Sequence, residues 1–156
     1  MVIIDFDRDT SLIRTFILKR INNYSAAVDL GPGAPEAHIS QITLGFYLGD
    51  GAGYVACVFD KRPDASNDGA WTLFLNDSNL IRLPSWLDAG DALFEGESVV
   101  VSRSQGSAEK SDIVSSENEL VDLVGEMLKG LFLELREAGA FLSLPLTEGA
   151  YAVVED

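Results

Sequence analysis

The chain predicts an α+β domain: an antiparallel sheet of four to five strands with helices packed mainly on one face, in the order α-β-β-β-α-β-α-β. Three observations carry that expectation. Two neighbouring runs, 39–48 and 53–60, alternate along the chain at period two, with glycines between them. Two other runs, 10–26 and 117–138, repeat apolar residues at three- and four-residue spacing. The length of 156 residues, with 47% hydrophobic and 23% charged, is that of a single ordinary domain, 1–156.

The first helix, TSLIRTFILKRINNYSA, puts Ile13, Phe16, Ile17, Ile21 and Tyr24 on one side and Arg14, Lys19 and Arg20 on the other. Asp9 or Thr10 can cap its start. DLGPGAPEA is a loop by its two glycines and two prolines. In ISQITLGFYL, Ile42, Leu44, Phe46 and Leu48 share a face opposite Gln41, Thr43, Gly45 and Tyr47. In GYVACVFD, Val55, Cys57 and Phe59 do the same, which makes Cys57 a small core residue. KRPDASNDGA turns the chain into a third strand, 71–76, antiparallel to the second and opened by a partly buried Trp71. Pro84 opens a short helix over 85–96, with Asp88 and Asp91 near a start where the dipole favours them. ESVVVSRS holds a fourth strand, and QGSAEKSDIVS reads as a polar loop. The long helix starts on a capping box, Ser116 and Glu119, and stops at Gly139. Its core stripe is Leu120, Val124, Met127, Leu128, Leu131 and Leu135, with Gly125 and Gly130 suited to close packing on the sheet. A final strand falls near 150–154.

The stretch Leu48-Gly49-Asp50-Gly51-Ala52-Gly53 has the look of a phosphate loop. Such loops run from a strand into a helix, whose N-terminus meets the anion. This one runs from strand to strand and carries an acid that repels phosphate, so it predicts a hairpin turn.

Charge is the strongest compositional feature: the net charge is −14 and the pI near 4.2. Residues 83–128 hold ten acids against two bases, more than half of the net charge in under a third of the chain. Such a surface disfavours nucleic acid and anionic membranes, and suits a basic protein partner. Nothing at the N-terminus reads as a signal peptide, and no apolar run approaches the ~20 residues of a membrane span. A single cysteine makes no internal disulfide, which is compatible with a reducing cytosol.

The chemistry available is narrow. One histidine, His38, and one cysteine, Cys57, cannot build a zinc site from those residue types, and no GxSxG elbow is present. The expectation is no catalytic residue, no metal and no cofactor. Asp88/Asp91 and Glu119/Asp122 are i,i+3 pairs able to share a hard cation, but solvated helix faces explain them better. Trp86 stands beside Asp88 and Asp91, as an apolar anchor for a basic partner would, or as the residue that docks its helix on the core.

Three segments carry a family resemblance: ISQITLGFYLGDGAGYVACVF, LPSWLDAGDALFEG, and LFLELREAGAFLSLPLTEGAYAVVED with its Gly139-Ala140-Phe141 step and terminal Asp156. They resemble a group of small bacterial proteins of unknown function found among the immunity proteins of polymorphic-toxin and contact-dependent-inhibition systems. The resemblance implies a cytoplasmic protein that binds and neutralises one toxin domain. The charge pattern fits a basic, nuclease-like target, and the expected partner-binding set is Trp86, Asp88, Asp91, Glu95, Glu97, Glu119, Asp122 and Glu126. Such a protein is a monomer or a homodimer. The alternative is a homodimeric secretion chaperone for an effector, which this chain resembles in size, acidity and its opening α-βββ-α order. A hydrolase or cation-binding protein working through carboxylates alone is the third reading.

Overall fold

Among the described residues, eight strands and three helices follow one another as β1 (Val2–Asp5), α1 (Phe6–Asn22), β2 (Ile39–Tyr47), β3 (Ala52–Phe59), β4 (Trp71–Phe74), β5 (Ile81–Arg82), α2 (Pro84–Phe94), β6 (Val99–Gln105), β7 (Ala108–Val114), α3 (Glu117–Glu137) and β8 (Leu146–Glu155). The structure, a computed structural model, describes residues 1–22, 38–47, 51–59, 71–74 and 81–155. The expected end of the first helix beyond Asn22, the 29–37 loop, the 61–70 turn, the 75–76 strand end and Asp156 lie outside the described residues, as does the side chain of Trp71.

The α+β class holds, but the strands form two mixed sheets, where one antiparallel sheet was expected. The smaller has the order β1-β6-β7; the larger has β4-β3-β2-β8, with the two-residue β5 also on β3. Two pairings are parallel: Val2 to Asp5 lie beside Val99 to Ser102, and Gln41 to Gly45 beside Tyr151 to Glu155. A parallel pair needs a long crossover, and each of these is closed by a helix on the intervening chain. The β2–β3 and β3–β4 pairs are antiparallel as expected. Gly51, at φ 56°, supports the hairpin reading of the glycine stretch, and Leu83 N–H donates to its carbonyl at 2.7 Å.

Three strands escaped the sequence reading, among them the two-residue β5. Residues 105–115, expected as a loop, supply β7, the open edge of the small sheet. The helix expected from residue 10 starts at Phe6, and the apolar run before it is β1.

The small sheet buries one face only. Ile4, Val99, Val101 and Val114 point into the core, whereas Ile3 and Ile113, both in register with Val100, are 57% and 74% exposed. Helix α1 packs on β6 and α2 on β1, and α3 contacts both β7 and β8. Strand β2 runs inside the large sheet; on the face expected to be polar, Thr43 and Gly45 are buried along with Ile42, Leu44 and Phe46 of the other face, while Gln41 is half-buried and Tyr47 exposed. The α3 stripe is as expected, with Phe132 added and Met127 partly exposed. Phe46 of β2 meets Trp86 of α2 edge-on at 6.1 Å, which joins the two sheets in one core.

Candidate partner-binding surface

Trp86 is 1% exposed, so it is not a surface anchor; it docks α2 on the core, and the partner-facing role expected for it is withdrawn. The burial follows from local geometry. Pro84 sets the first turn, and Trp86, Ala89, Ala92 and Leu93 make the inward face at helical spacing. The indole needs a hydrogen-bond acceptor there. Asp9, also 1% exposed, supplies it: its Oδ2 accepts from Trp86 Nε1 at 3.0 Å and from Ser85 Oγ at 3.1 Å. Its Oδ1 accepts from Arg8 Nε at 3.2 Å. Asp9 is therefore not the helix cap. That role falls to Asp5, whose Oδ1 accepts from Arg8 N–H at 3.1 Å.

The remaining expected site residues are exposed, but they do not make one patch by sequence alone. Asp88, Asp91 and Glu95 follow one another at i, i+3 and i+7 along the outward side of α2. Glu97 stands in the turn before β6. Glu119, Asp122 and Glu126 repeat the same spacing on α3. The β6–β7 hairpin lies between the two helices in the chain and holds Arg103 and Lys110, the two bases of the acidic third.

The acids of the two helices differ in what else they do. Glu119 completes the capping box: its N–H donates to Ser116 Oγ at 3.2 Å and its carboxylate accepts from Ser115 N–H at 3.1 Å. Glu126 pairs with Lys129 at 3.5 Å. On α2, Asp88 and Asp91 do not lie near the helix start as expected: the first turn carries no acid, Asp91 falls in the last turn and Glu95 is the C-cap. Phe94, 93% exposed, sits between them on the outward side; sequence reading missed it by giving the aromatic role to Trp86. The signal was available, since Phe94 is eight positions after Trp86 and falls off the 86-89-93 inward stripe.

Among the described residues, no group of three or more His, Cys, Asp or Glu is placed to hold a metal ion. Cys57 is buried on β3 opposite Ile42, and burial pushes its thiol up to about 12, so it is protonated at neutral pH and is no nucleophile there. His38 is exposed at the start of β2. No helix among the described residues is long and apolar enough to cross a membrane. No protein-family model matches the chain, and no match was found among curated proteins or solved structures.

Proposed function

We propose that this protein works by binding, as an immunity-type protein that covers a basic, nuclease-like toxin domain in the cytoplasm. The observation that carries the reading is the charge: −14 overall, with ten acids against two bases in residues 83–128, and every acid of the expected set on the surface. Enzymes that act on nucleic acid present basic surfaces to phosphate. An acidic protein covers such a surface directly, and its field raises the association rate roughly 10–10³-fold.

Titration calorimetry against the toxin domain encoded beside this gene, at low and high salt, tests the proposal. The expected complex weakens as salt rises and weakens further with Asp88→Lys and Asp91→Lys together. A neighbouring toxin that stays active and unbound in the presence of this protein, or a complex indifferent to both salt and charge reversal, overturns it.

A further inference from the structure

We infer that the outward face of α2 is the docking surface for that basic partner, with Phe94, beside Leu87 and Asp91 on the helix surface, as the apolar anchor. The inference rests on the binding reading above and gives it a site. Leu87, Asp88, Asp91, Phe94 and Glu95 stand at i, i+1, i+4, i+7 and i+8, one continuous helical stripe. All five are exposed, and the stripe contains no base.

Three features of this stripe are unfavourable in the isolated molecule, and they coincide. Carboxylates at Asp91 and Glu95 face the negative end of the helix dipole, where the last turn offers no base to offset them. Asp88/Asp91 and Asp91/Glu95 are like-charge pairs at i,i+3 and i,i+4, which repel. Phe94 is 93% exposed, which leaves a large apolar side chain in water. No described residue forms an ion pair with any of the three acids.

Helix α3 provides the contrast. Its acids at Glu117 and Glu119 sit in the first turn, where the dipole favours them, Glu119 caps, and Glu126 has a lysine. Glu117, Glu119 and Glu126 thus serve their own helix, while Glu134 pairs with Arg14 of α1; Asp88, Asp91 and Glu95 do neither. Local rules broken together on one surface, against the grain of folding, mark a surface shaped for something else. A cationic surface with an apolar recess relieves all three defects at once. A second copy of this chain does not, because its α2 stripe brings the same carboxylates and no base.

The test is a ¹H–¹⁵N NMR titration of the full chain with a short amphipathic Lys/Leu helical peptide, with oligolysine of equal charge as the apolar-free control. The peptide is expected to shift residues 87–95 most. Phe94→Ser, at a position exposed enough to leave the fold intact, should weaken peptide binding roughly tenfold and oligolysine binding much less. Asp91→Asn with Glu95→Gln should weaken peptide binding while raising the melting temperature of the free protein. Shifts centred on Glu119, Asp122 and Glu126 would overturn the assignment to α2 and leave the basic-partner reading standing. Peptide affinity unchanged by Phe94→Ser would overturn the anchor. If neither peptide binds, both the site and the basic-partner reading fall.

Discussion

Asp9 shows how one side chain ties distant parts of this chain together. It lies at i−4 from Ile13, which is itself four residues before Ile17, so its carboxylate sits on the apolar stripe of α1. A buried carboxylate is tolerable only when hydrogen bonds replace its water, and Trp86, Ser85 and Arg8 do so. With the helix expected from residue 10, Asp9 read as its cap; the start at Phe6 is what puts it on the stripe. Its pairing with Trp86 was not legible, because 77 residues separate the two. Asp9→Ala removes the acceptor of three donors, one of them buried, and should destabilise the fold by about 2–4 kcal/mol in urea unfolding. Trp86→Phe keeps most of the packing against Phe46 but removes one donor, and a smaller loss of about 1–3 kcal/mol is expected. Equal losses in the two variants would mean that packing and not the hydrogen bond is the larger part.

Cys57 makes a second residue-scale prediction. Its thiol is pushed from the ordinary 9.0 to about 12 by burial. The folded chain therefore holds this proton at alkaline pH, where the unfolded chain has released it. The thiol's contribution to stability is complete below pH 9 and is lost as pH rises towards 12, by at most about 1.4 kcal/mol per pH unit. Urea unfolding of wild type and Cys57→Ala from pH 8 to 10 measures it: the variant is less stable at pH 8 and falls less steeply. Parallel slopes would show that the thiol ionises freely in the folded chain.

At the scale of elements, what was legible followed burial. Helix α3 could be read almost to the residue, because half of its surface faces the core at regular spacing and Ser116 and Gly139 mark its ends. Strands β2 and β3 were legible for the same reason. Strand β7 was not: in Ala108–Val114 only Val114 is buried, so an edge strand carrying Glu109, Lys110 and Asp112 has no alternation to detect. Charges on an open edge discourage pairing with other chains, and they also make the sequence resemble a loop. Strand β1 was missed because its partner, β6, is parallel and distant, and four residues give no period. The two parallel pairings could not be read at all, since periodicity describes faces and not neighbours. Within α3, Gly130 was expected to allow close packing, yet a Cβ there meets nothing within 4 Å, while one at Gly125 meets only Phe46 Cζ at 4.0 Å. Gly130→Ala should therefore stabilise the protein by about 1 kcal/mol, the helix-propensity difference alone. Ser116→Ala should destabilise it by about 1 kcal/mol through loss of the cap. Thermal melts of the two variants test both signs.

For the whole molecule, the controlling quantity is self-repulsion. A net charge of −14 on 156 residues opposes compaction, because folding brings the carboxylates closer together than the unfolded chain does. Among the described residues the ion pairs are few and mostly solvated; Arg14 and Glu134, at 2.7 Å between α1 and α3, are both substantially exposed and offset little of it. Salt acts on this repulsion directly, since the screening length falls from roughly 30 Å at 0.01 M to roughly 8 Å at 0.15 M. The free protein should accordingly become more stable over that range, with a higher urea midpoint and an unchanged m-value. A complex with a basic partner responds with the opposite sign, because the same ions screen the attraction that forms it. Opposite salt slopes for folding and for binding are thus the signature of a surface whose charge serves association at the expense of the isolated fold. An acidic surface that only keeps the molecule soluble gives the first slope without the second.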